Sequence, residues 1–334
     1  MIDFKSAIKN LEFEKTSYWN NYLKNNSKKI KIPIHKAKFK IKKNHKIFTI
    51  GSCFARRIED AFPENNNILS KKFFEIYSNS IFNKKLNINF INKYSTASIL
   101  NELIFTFKKK YTHKYLLKEK NNNLCYDLQC APYNTGIKYL DANKTLLRHE
   151  VITKTFEKIK DCDIIIITLG LIECWYDKKN KIYLNAGPLK KFLSTNEKKR
   201  FELKLLNYEE NYSNLIKIYK LLKIISKRKK KIIITVSPVP LYATFSGKDV
   251  LTANTYSKSV LRSVAGEFAN KYSDVDYFPS YEMCIASDKK LVYEKNQIEV
   301  KKRFAKKIVD EFQKNYFKKN NFKDRFVQLF KNIY

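Results

Sequence analysis

Gly51-Ser52-Cys53 places a hydroxyl and a thiol directly after a glycine, at the seam between two different sequence patterns. Before it, Lys46-Ile-Phe-Thr-Ile50 is a short β-branched run; after it, Phe54 to Phe62 is amphipathic and stops at Pro63. That order predicts a strand, a tight turn and a helix. A side chain at a helix N-terminus meets backbone N–H groups that lack intrahelical partners and the positive end of the helix dipole. Such a place stabilises a thiolate and can form part of an oxyanion hole. The blander alternative has Ser52 cap the helix while Cys53 packs inward.

The elements that would position this turn are legible as alternating strands and helices. Asp163-Ile-Ile-Ile-Ile-Thr-Leu169 and Ile232-Ile-Ile-Thr-Val236 are unbroken apolar runs, which read as parallel strands covered on both faces. Val275–Phe278 reads as a further strand, and 73–77 (Phe-Phe-Glu-Ile-Tyr) as a candidate second strand. Helices are predicted over 95–108, with Ser95 or Thr96 as N-cap, then over a segment ending near 160, and over 207–228, 254–271 and 299–316. The section 110–145 is Asn/Lys-rich and less regular. Alternation of this kind predicts an open α/β sheet. Its crevice should lie at the carboxyl ends of the strands, in the loops after Ile50, Leu169, Val236 and Phe278. The expected division is a basic lead-in over 1–44, an α/β domain over 45–316 and a basic tail over 317–334.

Composition narrows the function classes. The 334 residues carry 67 Lys+Arg against 32 Asp+Glu, a formal charge of +35. Only 8 of the basic residues are Arg and 59 are Lys, in a chain also rich in Asn, Ile, Tyr and Phe. Arg is the residue suited to bidentate phosphate and base contacts, so a solvated Lys-rich surface outweighs specific nucleic-acid binding. The six cysteines form no CxxC pair, which argues against a zinc site, and several sit in apolar stretches as buried reduced thiols. The N-terminus lacks the apolar core of a secretory signal and no apolar run approaches a membrane span. A cytoplasmic protein without metal or organic cofactor is the expectation; its oligomeric state is left open.

Ile50-Gly51-Ser52-Cys53-Phe54-Ala55 resembles the signature of the GSCFA-domain family, a bacterial group related to the SGNH/GDSL hydrolases. Further blocks resemble it in order: Asn92–Ile99, Thr168–Trp175, Thr235–Leu241, Tyr256–Arg262 and Tyr277–Glu282. The resemblance spans roughly residues 46–312. It implies an SGNH-hydrolase-like three-layer α/β/α sandwich with a mostly parallel, about five-stranded sheet. It also implies ester hydrolysis or acyl transfer. The wider superfamily uses a Ser nucleophile after the first strand, a backbone Gly in the oxyanion hole and a late Asp-x-x-His.

The sequence departs from that scheme in three places. Strict register with the superfamily's Gly-Asp-Ser puts Cys53 at the nucleophile position, whereas a shift of one puts Ser52 there, and both stay open. The Gly-x-x-Asn of the third block becomes Gly170-Leu171-Ile172-Glu173. The Gly170 N–H remains a candidate oxyanion donor, and Glu173 is either a general base or a surface carboxylate. The Asp-x-x-His falls on Asn296-Gln297-Ile298-Glu299, so Glu299 is the candidate base where the family scheme has His. None of the four histidines is an obvious substitute. His45 lies at the far end of the first strand, His35 and His113 sit in Lys-rich segments expected at the surface, and His149 is expected to cap a helix or face solvent.

The remaining blocks read as architecture around the crevice. Ser237 caps or lines it, and Ser257, Lys258 and Arg262 share one helix. Arg262 is a candidate partner for Glu282 or for an anionic substrate group, and Tyr281 borders the same crevice. Trp175 reads as an aromatic lid.

Two readings follow. The first is an SGNH-like esterase or acyltransferase acting on an acylated carbohydrate or surface-polysaccharide precursor. In it, Cys53 or Ser52 attacks, Glu299 or Glu173 takes the proton, and backbone N–H groups at Ser52, Cys53 and Gly170 hold the oxyanion, with Gly51, Asn296, Ser237, Arg262 and Tyr281 shaping the site. The second is a catalytically degenerate binding module for a glycan or anionic partner. The first predicts a nucleophile at the crevice beside a carboxylate; the second predicts Cys53 beneath the sheet.

Overall fold

In chain order the strands are β1 (Ile47–Gly51), β2 (Leu116–Lys118), β3 (Cys125–Asp127), β4 (Ile164–Leu169), β5 (Glu173–Asp177), β6 (Ile182–Tyr183), β7 (Phe201–Leu205), β8 (Lys231–Val236) and β9 (Val275–Tyr277). The longer helices are α1 (Phe4–Phe13), α2 (Cys53–Ala61), α3 (Leu69–Phe82), α4 (Thr96–Phe107), α5 (Ala142–Glu157), α6 (Tyr208–Ile224), α7 (Val250–Lys271), α8 (Ser280–Ala286) and α9 (Lys302–Tyr316). This computed structural model describes residues 2–13, 17, 19, 29–63, 67–119, 123–130, 139–189, 192–193, 195–226 and 229–317. The basic tail from 318 onward lies outside them.

Four strands, in the order β1-β4-β8-β9, form a parallel central sheet. Every residue of β4 is buried, as its unbroken apolar run requires. Alternation along the strands separates two cores. Phe48, Ile50, Ile165, Ile167, Ile232 and Ile234 face the layer built by α3, α4, α5, α6 and α7. Ile47, Ile164, Ile166 and Ile233 face α2 and α9, joined there by Phe39 and Ile41 of the segment before β1. The result is a three-layer α/β/α sandwich.

Two expectations change. Residues 73–77 belong to α3 rather than to a strand. The five-residue window looks β-like, but Ser70, Phe74 and Ser78 recur at helical spacing and are all buried, and the chain leaves through Asn83 in the left-handed conformation. The sheet therefore has four strands, and where a fifth would pair with β1 there is a single parallel bridge, Ile47 to Ile68. The irregular section holds structure too: β2 and β3 pair antiparallel. A second antiparallel sheet, β6-β5-β7, follows β4.

The register aligns the carboxyl ends of the central strands. Gly51 pairs with Thr168, and Thr168 with Thr235. The turns that leave β1, β4 and β8 thus emerge side by side.

Candidate active site at the strand ends

Gly51 has φ +145°, and a Cβ there would lie 2.3 Å from the carbonyl oxygen of Thr168. Only glycine fits that close approach, and it lets the chain turn from β1 into α2 within one residue. Ser52 is the N-cap of α2, yet its side chain makes no capping hydrogen bond. Its Oγ is buried with no hydrogen-bond partner. The simple capping role is therefore not what this hydroxyl performs. Cys53, the first residue of α2, is exposed, whereas Cys125, Cys130, Cys162, Cys174 and Cys284 are buried reduced thiols.

Although the residue is exposed, protein surrounds much of the Cys53 thiol. That desolvation pushes its pKa up. Glu299 adds to the rise, while the Lys258 ammonium and the N–H groups of Phe54 and Cys53 itself pull the other way. Among the described residues no carboxylate hydrogen-bonds to Cys53, so the expected thiol–carboxylate contact is not formed.

Lys258 is the residue to which sequence reasoning gives a helix but no role. It lies on α7, only 2% exposed, and its Nζ donates to the carbonyl of Gly170 at 2.6 Å. Burial holds its pKa down to about 7, against which Cys53 acts in the opposite direction. Gly170 in turn sits against the nucleophile turn: a Cβ there would lie 3.3 Å from Ser52 Cβ and 2.6 Å from the Tyr94 carbonyl oxygen. Three segments thus converge, the β1–α2 turn through Ser52, the loop after β4 through Gly170 and α7 through Lys258. Ser257 on the same helix fixes the loop by accepting from the Ile172 N–H at 3.2 Å.

The other sequence candidates are placed as follows. The Gly170 N–H donates to Tyr94 O at 3.2 Å, so it is already engaged. Glu173, on β5, accepts from Thr244 Oγ1 and from the Phe245 N–H at 3.0 Å, and so ties down the loop after β8. Asn296 uses its Oδ1 to accept from the N–H groups of Ile298 and Glu299, at 3.0 and 3.1 Å, which shapes the turn between Tyr293 and Val300. Glu299 is half-exposed and pairs with Arg57 of α2 at 3.2 Å. Ser237 is buried, and its Oγ accepts from the Val239 N–H at 3.3 Å. Arg262 meets Glu282 at 2.5 Å, and its guanidinium lies over the Tyr277 ring at 4.0 Å, while the Tyr277 hydroxyl donates to Glu282 at 2.8 Å. Tyr281 is half-buried against the α7 side of the core. Trp175 packs edge-on against Phe245, with ring centroids 5.4 Å apart, in the manner of a lid over the loop that Glu173 holds.

The histidines correct two surface expectations. His35 is half-buried and bonds the Tyr316 hydroxyl at 3.0 Å, beside Asp276 at 3.3 Å. His149 is 1% exposed, with Nδ1 2.9 Å from Asp127 and Nε2 3.6 Å from Glu102. It stacks on Tyr111 at 3.5 Å between centroids. Burial opposes its charge, but the two carboxylates prevail and raise it to about 9. Lys93 completes the network at 2.7 Å from Glu102. A cavity of about 810 Å³ opens beside it, lined by Phe105, Lys108, Tyr111 and His149 among others. Its lining comes from α4, the segment after it and α5, and His149 there belongs to a charge network paired within itself. The exposed thiol, Cys53, is at the strand ends, and that is the candidate site.

Among the described residues no group of three or more His, Cys, Asp or Glu could hold a metal ion. No helix there is long and apolar enough to cross a membrane. The GSCFA family model matches residues 46–312, most of the chain, and the protein belongs to the GSCFA family. No curated protein matches it.

Proposed function

We propose that this GSCFA-family protein is an acyl-transferring enzyme, akin to the SGNH/GDSL hydrolases, with Cys53 as its nucleophile. Its substrate in this reading is an ester of a carbohydrate or surface-polysaccharide precursor, a class that rests on the resemblance to that superfamily. The observation that carries the proposal is the exposure of Cys53 at the N-terminus of α2, at the carboxyl end of the parallel sheet. The binding-module reading expects that thiol beneath the sheet.

Cys53 attacks the ester carbonyl, and negative charge develops on the carbonyl oxygen. The N–H groups at the start of α2 and the dipole of that helix stabilise that charge. The buried Ser52 hydroxyl, which no protein group satisfies, supplies a further donor at the same turn. The thioester so formed passes its acyl group to water or to an acceptor hydroxyl. Tyr242, Phe245 and Tyr256 are exposed on the segment after β8 and at the start of α7, where aromatic faces suit a sugar ring.

The test is incubation with p-nitrophenyl acetate, followed by intact mass and peptide mapping. One acetyl group on Cys53, absent from Cys53→Ala and present in Ser52→Ala, is the expected result. A disulfide-exchange titration of the native protein should meanwhile count one fast thiol among the six, and all six after unfolding. Acetylation confined to scattered lysines, unchanged in Cys53→Ala, would sink the proposal.

A further inference from the structure

We infer that Lys258 is the general base of this site, taking the Cys53 proton in the role the wider superfamily gives to histidine. The inference deepens the acyl-transfer reading and rests on it for its chemistry, although its first test does not.

The geometry argues it. A lysine buried to this degree is rare without an anionic partner. Among the described residues no carboxylate pairs with Lys258, and its one hydrogen bond goes to the Gly170 carbonyl. That bond fixes the amine against the residue that packs on Ser52, one position from the nucleophile. Among the described residues no other acceptor bonds its Nζ.

The charged groups around Cys53 are few. Glu299 faces it from the turn before α9 but is committed to Arg57. Arg56, on α2 itself, is committed to Glu59 at 2.9 Å. Lys258 is the cation from α7. Burial disfavours the ammonium, which makes the amine a base matched to neutral pH. Thiol and amine are thus coupled: each favours the charged form of the other, but by less than burial disfavours it.

The steps balance. As the sulfur–carbon bond forms, the thiol proton moves to the Lys258 amine and the carbonyl π electrons move to oxygen. Collapse of the tetrahedral adduct breaks the bond to the leaving alkoxide, which takes the proton back from the Lys258 ammonium. Water or an acceptor hydroxyl then attacks the thioester and gives its proton to Lys258. The departing Cys53 thiolate recovers that proton.

The experiment measures the rate of Cys53 alkylation by iodoacetamide against pH in the wild type, Lys258→Met and Lys258→Arg. Met matches the length of the buried stem and brings no charge, so the fold should survive. The expected result is that the inflection moves upward by at least about one pH unit in Lys258→Met, with about tenfold slower alkylation at pH 7.5. Lys258→Arg keeps a cation but cannot accept a proton; it should alkylate nearly as the wild type does while losing about a hundredfold or more in acetyl transfer from p-nitrophenyl acetate. Superimposable profiles in wild type and Lys258→Met would overturn the inference, as would undiminished acetyl transfer in Lys258→Arg. Should Lys258→Met fail to fold, the Lys258 Cε resonance in ¹³C-lysine protein gives the same answer. Its titration should fall in Cys53→Ala, and an unchanged titration counts against the pair. A wild type that alkylates in a Lys258-dependent way but never acquires an acetyl group would remove the acyl-transfer function and leave the coupled pair standing.

Discussion

His149 should carry a positive charge inside the folded protein, and that charge should appear as a pH-dependent stability. Its imidazole lies between Asp127 and Glu102, and it is raised from 6.5 to about 9. Across that interval the folded state holds one proton that the unfolded chain has released. Stability then falls with rising pH at about 1.4 kcal/mol per pH unit. The contribution is complete below 6.5 and lost as pH passes 9. Over the whole window it amounts to about 3 kcal/mol, with no discount for solvent screening because both the ring and its carboxylates are buried.

Lys258 works in the opposite direction over part of the same range. Its ammonium is held down from 10.5 to about 7, so the unfolded chain binds the extra proton and stability rises with pH there. The wild-type curve alone therefore mixes two signs. Comparing wild type with His149→Gln, both of which keep Lys258, isolates the histidine. Urea unfolding at half-unit steps from pH 6 to 9.5 should show the gap between the two proteins shrinking by about 3 kcal/mol. At pH 6 the variant should be destabilised by about 3–5 kcal/mol, because Asp127 and Glu102 lose a buried counter-charge. If that exceeds the total stability, the ring resonances of the wild type supply the same information through a histidine that titrates near 9. A gap that stays flat from 6.5 to 9 refutes the reasoning: the ring would then be neutral when folded, and the network hydrogen-bonded instead of ionic.

Two further substitutions test how the nucleophile turn is built. Ser52→Ala should leave the melting temperature nearly unchanged, a difference within about 0.5 kcal/mol, because the hydroxyl caps nothing and bonds nothing. Asn207→Ala is its control, since that side chain accepts from the Glu210 N–H at 2.9 Å in a full capping box, and it should cost about 1 kcal/mol; the reverse order in thermal melts would contradict the structure. Gly170→Ala should cost about 1–3 kcal/mol, since the new methyl meets the Tyr94 backbone oxygen at 2.6 Å and a backbone atom has little room to move. Unchanged melting would mean that β4 and the 92–95 segment do not approach as described.

What the sequence reveals and what it hides divide along one physical line. β4 and β8 announce themselves, because an unbroken Ile run has few uses other than a strand covered on both faces. The nucleophile turn is legible for a similar reason: Gly-Ser-Cys between a β-branched run and an amphipathic one can hardly be anything but a strand–helix seam. By contrast, α3 was masked by a window too short to separate period 2 from period 3.6. The sheet β6-β5-β7 is hard to read because Glu173–Asp177 mixes buried and half-buried positions without clean alternation, and Phe201–Leu205, though it alternates, is only five residues long. The lysines are the instructive case. With 59 of them in the chain, residue type carries almost no information, and Lys93, Lys230 and Lys258 look like the rest although each is at most 2% exposed. The signal that does separate Lys258 is positional: it falls within the buried stripe Ala253, Ser257, Leu261, Val264, Ala265 and Phe268 of α7, where an ammonium costs most to desolvate. Lys93 meets that cost with Glu102 at 2.7 Å, and Lys230 with the carbonyl oxygens of Ile159, Lys160 and Cys162. Lys258 has one carbonyl, that of Gly170. Burial so thinly compensated holds its ammonium down to about 7, the direction a base for Cys53 requires.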